Sequence, residues 1–209
     1  MAEEGKPLRK IAEAFKELAN AINSQSPDGD EEPRIELGQF SLACSLVSPL
    51  FGCLGIAFKF AERDYDDKVR DLAEASKSIS TLEVMMDKDI ESNCVRTGGS
   101  HTRNLLRVKR GLDMVRVLFA QILASEGNSL KDPASKAYAQ VFAPYHSWAI
   151  RTAVGAGMYA LPTKAQLLKK LNEDEASARI QMQNYIASST PVIIYIDQLF
   201  NTRKLGINW

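Results

Sequence analysis

Three arginines, Arg103, Arg107 and Arg110, recur at i, i+4 and i+7 within SHTRNLLRVKRGLDMVRVLFAQILAS, residues 100–125. On a helix, at roughly 100° per residue, that spacing puts them on one face. One turn later the same face continues with Met114, Val117 and Leu118. Guanidinium groups bind phosphate oxygens bidentately, so cations followed by apolar residues describe an anion held at a rim with something greasy beyond it. The bland alternative, which composition alone favours, is an ordinary solvated face paired with surface acids.

Two further groups could do chemistry. Asp64 and Lys68 are four apart in KFAERDYDDKVRDLAEASK (59–77) and share a helical face; as a plain i,i+4 ion pair they would add only a few tenths of a kcal/mol. His146 lies in FAPYHSW, two residues before Trp148. A neutral imidazole donates with one nitrogen and accepts with the other, which suits the amide of a bound ligand, although a lone histidine among aromatics is more often structural.

Other chemistries find no support in the sequence. The two histidines, His101 and His146, sit at no ligand spacing with cysteines or with each other, so no metal is expected. Gly98 and Gly99 of RTGGSHT follow no strand and precede no Gly-Lys-Ser/Thr, so they form no phosphate loop. Without a nucleophile elbow, a Cys/His dyad or a dinucleotide fingerprint, neither enzymatic activity nor a cofactor is expected. Lys+Arg and Asp+Glu both number 26, so no overall basic field draws the chain to nucleic acid, and any anion binding is local. Cys44, Cys53 and Cys94 have no metal or redox spacing and read as reduced core thiols. The charged, amphipathic start MAEEGKPLRKIAEAFK lacks the apolar core of a signal peptide, which predicts a cytosolic protein.

The elements that must position these groups are all helical. On the central helix, Leu105, Val108, Leu112, Val115, Phe119 and Ile122 form an apolar stripe opposite the arginines, so this helix lies between two layers or lines a cavity. A first helix runs from Pro7 to about Ile22, followed by a turn-rich acidic loop over 24–34. Phe40 to Phe58 is uncharged for nineteen residues; its serines, Pro49 and glycines argue against a membrane span and for a central buried helix that lines an apolar pocket or simply fills core. Ser80 and Glu83 have capping-box spacing before an inner row of Ile79, Leu82, Met86 and Ile90. Asp132 and Pro133 predict an N-cap and first helical residue, Pro144 ends that helix, and another runs on to about Leu161. A short helix follows Pro162, and the last is capped by Asn172, with VIIYI (192–196) as its buried end and a kink at Pro191.

Taken together, FKFAERDYDDKV (58–69), VMMDKDI (84–90), SHTRNLLRVKRGLDMV (100–115) and FAPYHSWAIR (142–151) resemble the glycolipid transfer protein superfamily over essentially the whole chain. The resemblance implies one domain over 1–209, an all-α two-layer sandwich of about eight helices enclosing a pocket for lipid chains, with the headgroup site at its mouth. It implies that Asp64 accepts a ceramide amide N–H, that His146 donates to the acyl carbonyl, and that Lys68, Arg103 and Arg107 clamp a phosphate. Arg110 receives no role from it, and Trp148 resembles an aromatic that family members use to dock on membranes. In the sugar-carrying branch the position matching Arg107 is typically tryptophan and that matching Lys68 asparagine; here both are cations.

The expectation is therefore a monomeric, cytosolic, non-enzymatic carrier of ceramide-1-phosphate and phytoceramide-1-phosphate in transient contact with membranes, with a role in sphingolipid homeostasis and programmed cell death in plants. Its rivals are a helical protein-interaction or lipid-sensing module using the same arginine face, and a lipid hydrolase using His146.

Overall fold

Helical periodicity carries most of the described residues into helices. The computed structural model describes residues 6–23 and 34–209; the loop expected over 24–34 lies outside them except at Arg34. Among the described residues there are nine α-helices, one more than the resemblance implies: α1 (Pro7–Asn23), α2 (Leu37–Cys53), α3 (Lys59–Ala75), α4 (Leu82–Glu91), α5 (His101–Leu123), α6 (Lys131–Val141), α7 (Trp148–Gly157), α8 (Lys164–Lys170) and α9 (Glu175–Thr202). VIIYI stays helical inside α9, which passes through Pro191.

Several boundaries differ from the sequence reading for local reasons. The uncharged run does not form one helix: α2 ends at Cys53, Gly55 takes a left-handed φ of 104°, and a separate turn, Ile56–Phe58, turns Ile56 outward. Thr81 rather than Ser80 caps α4, accepting from the Val84 N–H at 3.4 Å. The inner row then uses Met85 in place of Ile90, because Asp89 is drawn inward to accept the Thr102 N–H at 2.7 Å, one of the orphan donors in the first turn of α5. α6 begins at Lys131, which makes Asp132 and Pro133 its second and third residues. Asn172 closes α8 instead of opening α9: it sits at φ 53°, and the Glu173 N–H returns to the Leu168 carbonyl at 3.0 Å. Asp174 caps α9, accepting from the Ser177 N–H at 2.7 Å.

The helices close a circuit in which α5 packs on α3 and α9, α9 on α1, α1 on α2, and α2 on α3; α6 lies along the outer side of α5. Inside it, the predicted α5 stripe is buried throughout. Tyr185 of α9 meets Phe15 and Phe119 edge-on at 5.4 and 5.6 Å, and its hydroxyl donates to the Leu112 carbonyl. The three cysteines are free thiols, with Cys44 buried and its pKa driven up by burial.

Helices α3 and α5 approach closely at Gly111. A Cβ there would lie 2.7 Å from the ring of Tyr65, which is buried on α3 and donates to the Cys44 carbonyl at 3.1 Å. Gly111→Leu is expected to destabilise the fold by about 2 kcal/mol or more, because overpacking outweighs the ~1 kcal/mol helix-propensity gain. An unchanged urea midpoint would show that Tyr65 can move aside freely.

Candidate anion-binding site

Helices α3 and α5 fix the register of the site. Tyr65 packs against Gly111, whereas six residues later Asp71 meets the start of α5: its Oδ2 lies 2.8 Å from His101 Nδ1 and accepts from Asn104 Nδ2 at 2.8 Å. The helices are therefore antiparallel, and Lys68, between these anchors, comes level with Arg107. The i,i+4 pair forms, with Lys68 Nζ 2.6 Å from Asp64 Oδ1 and donating to the Asp64 carbonyl at 3.1 Å. Lys68 is the more covered partner, and the Asp64 carboxylate stands open.

The three arginines divide. Arg103 and Arg107 are half-buried, and among the described residues neither has a carboxylate partner; the Arg107 Nε is buried without any hydrogen-bond partner. Arg103 reaches back over the preceding loop, where a Cβ on Gly98 would lie 3.3 Å from its Nη1. Arg110 is buried and already engaged. It donates to the Ile207 and Trp209 carbonyls at 2.7 and 2.8 Å, and its guanidinium lies 3.5 Å from the centre of the Tyr145 ring. The reading as an ordinary solvated face fails for Arg107 and Arg110, and only Arg103 and Arg107 remain free to take an anion.

His146 completes the cluster from the other side. Its ring stacks on Phe142 at 5.5 Å, and its Nδ1 lies 2.9 Å from the Tyr138 hydroxyl. Burial lowers its pKa first, and the cations of Arg107 and then Arg110 lower it further, against an opposing pull from Asp64. The imidazole is thus neutral near neutral pH, in the same field as the residues singled out on α3 and α5.

Around the cluster lies exposed apolar surface. Trp148, the first residue of α7, is 75% exposed; Phe60, one turn before Asp64, is 83% exposed, Ile56 84% and Tyr159 77%. Ile56 and Tyr159 belong to adjoining turns, since a Cβ on Gly55 would lie 3.4 Å from the Ala160 carbonyl. α7 buries none of its residues. The side chains expected to line a chain pocket, Met114, Val117 and Leu118, sit within the continuous core together with Phe40, Cys44 and Val47 of α2. Two surface grooves, of about 550 and 470 Å³, lie elsewhere, one beside Arg96 and Lys204 and one between α2 and α3.

Sequence reasoning missed the anchors more than the site. Asp71 continues the Asp64 and Lys68 face at i+7, and Asn104 precedes Arg107 by three, so helical spacing alone could have nominated the α3–α5 tie. Tyr138, the partner of His146, carries no such signal.

Residues 35–173 match the family model of the glycolipid transfer protein (GLTP). The chain is 68% identical over 209 residues to accelerated cell death 11 of Arabidopsis thaliana, covering 100% of this chain and 98% of that one. A ceramide-1-phosphate transfer protein of Danio rerio is 28% identical over 201 residues, covering 90% of this chain and 93% of the relative. The fold superposes with a TM-score of 0.94 on the crystal structure of a point variant of the Arabidopsis protein complexed with C12 ceramide-1-phosphate, at 68% identity and covering 99% of this chain and all of that one. The chain belongs to the glycolipid transfer protein family.

Proposed function

We propose that this chain carries ceramide-1-phosphate and phytoceramide-1-phosphate between membranes without altering them chemically. The observation that carries the reading is the Arg107 guanidinium, partly desolvated and without a carboxylate partner among the described residues, in the field of a neutral histidine and an open carboxylate. A phosphomonoester of charge roughly −1.5 to −2 is the ligand such a cluster lacks. Lys68, Arg103 and Arg107 take the phosphate, and Lys68 leaves Asp64 to do so. Asp64 then accepts the amide N–H. In the tautomer this role requires, Nδ1 accepts from the Tyr138 hydroxyl 2.9 Å away and Nε2 carries the proton that it donates to the acyl carbonyl. Lipids without the amide N–H leave Asp64 unpaired, and this gives selectivity. The chains enter between α2 and α5, parting apolar contacts that the core makes with itself.

Relatives support the lipid class: the Arabidopsis protein was crystallised with C12 ceramide-1-phosphate. The balanced charge suits reversible contact with membranes, made through Trp148 and the neighbouring apolar surface. Cytosolic transfer of this kind would serve sphingolipid homeostasis and, given the similarity to accelerated cell death 11, control of cell death.

The test is transfer between vesicles across several headgroups, with native mass spectrometry before and after vesicle incubation. Uptake of ceramide-1-phosphate with its mass conserved is expected. Absence of any lipid would favour a protein-interaction module, and release of a hydrolysis product would favour an enzyme.

Docking makes its own prediction. Trp148→Ala is expected to weaken vesicle binding by about tenfold, as loss of a large interfacial aromatic does, with little change in affinity for a short-chain soluble ceramide-1-phosphate. Equal losses in both would place Trp148 inside the lipid site.

A further inference from the structure

The residues following α9 play no part in this site, yet they converge on it. The backbone reverses at Lys204 and Gly206, both with left-handed φ (56° and 68°). Leu205 N bonds back to the Phe200 carbonyl at 2.9 Å, and the Trp209 ring packs 6.3 Å from Phe200. Arg96 braces the segment from α5's leading loop, lying 5.2 Å over the Trp209 ring and donating to the Leu205 carbonyl at 3.2 Å. Held this way, 207–209 present two carbonyls to Arg110, at 2.7 and 2.8 Å. Arg110 in turn lies flat on Tyr145, whose hydroxyl donates to Asn208 Oδ1 at 3.3 Å.

Two of these contacts, from Arg110 and from Asn208, reach Tyr145, the residue before His146. The turn that contains it, Ala143–Tyr145, buries no residue, so packing into the core does not hold it in place. The His146 side chain meets Tyr138 and Phe142 on the far side, and its backbone is held within the turn by a single 3.3 Å bond from its N–H to the Ala143 carbonyl. A ring that must meet an amide within hydrogen-bond reach needs its backbone fixed as well as its χ angles.

We propose that residues 205–209, acting through Arg110 and Tyr145, form a latch that positions His146 and thereby sets selection of the sphingoid amide over phosphate lipids that lack it. The latch rests on the proposed carrier function. It also gives Arg110, on the same face as Arg103 and Arg107, a separate role: its Nη2 is turned to two backbone carbonyls and its guanidinium lies over Tyr145.

The experiment compares uptake of ceramide-1-phosphate and phosphatidic acid, which shares the phosphate but has no amide, by the parental protein and by Trp209→Ala, Tyr145→Ala and Tyr145→Phe. His146 ring resonances and Tm are measured for each. The parental protein is expected to prefer ceramide-1-phosphate. Trp209→Ala and Tyr145→Ala are expected to lose about fivefold of that preference, through ceramide-1-phosphate alone, as when one net hydrogen bond is misplaced, with displaced His146 resonances. Tyr145→Phe keeps the ring under Arg110 and should retain most of the preference. A merely structural tail would lower Tm and both uptakes together at constant preference, which would overturn the latch. His146 resonances unmoved in all three variants would overturn it whatever the lipid data. Failure of the parental protein to take up either lipid would instead sink the carrier function.

Discussion

Asp64→Val is expected to cut ceramide-1-phosphate transfer by about 10- to 100-fold while leaving the protein folded. The carboxylate is open to solvent and its one strong contact is with Lys68, 2.6 Å away on its own helix. An exposed i,i+4 pair contributes only a few tenths of a kcal/mol to folding, so valine at this position should leave Tm nearly unchanged. On the proposed function the loss in transfer is larger, because the lipid amide would donate to a charged acceptor, and such bonds are worth roughly 1.5–3 kcal/mol, each 1.4 kcal/mol being about tenfold. Discrimination against phosphatidic acid should fall in the same variant, since the carboxylate that phosphatidic acid leaves unpaired is gone and only His146 still favours the amide. Transfer at the parental rate, with the preference intact, would remove Asp64 from amide recognition.

The sequence was most legible where chemistry and periodicity coincide. The α5 stripe, the burial of Met114, Val117 and Leu118, and the common field of Asp64, Arg107 and His146 follow from helical spacing and from the family resemblance. What escaped depends on contacts between segments far apart in the chain. Nothing near Arg110 announces that Ile207 and Trp209 will claim it. Spacing within α4 alone allows Ile90 to face inward; Asp89 takes the inner position because a different helix needs a cap. The uncharged run from Phe40 to Phe58 has the composition of one buried helix, but a single glycine at φ 104° divides it and turns Ile56 to solvent beside Tyr159 and Phe60. Composition could not distinguish core from docking surface there, since both are apolar.

Arg107→Leu should separate function from stability more sharply than any other change. The guanidinium is half-buried with its Nε unpartnered, and after burial, the largest cause for both, its charge further lowers the pKa of His146 and of Arg110. An unpaired buried polar group costs about 1–3 kcal/mol, so an apolar side chain of similar reach should leave Tm unchanged or raise it by about 2–4 °C per kcal/mol. Transfer of ceramide-1-phosphate should nonetheless fall at least about tenfold, because a bidentate, charge-assisted contact with phosphate is lost. Arg103→Leu should show a similar loss, and the double variant less than the product of the two, because both guanidiniums share one phosphate. A neutral sugar cannot offset three gathered cations, so in competition the parental protein is expected to take up ceramide-1-phosphate in preference to glucosylceramide. Preferential uptake of the sugar lipid, or unchanged phosphate-lipid transfer by both single variants, would sink the assignment of this cluster to a phosphate. A lower Tm for Arg107→Leu would show that the guanidinium has a folding partner after all, and that its charge is not held in reserve for a ligand.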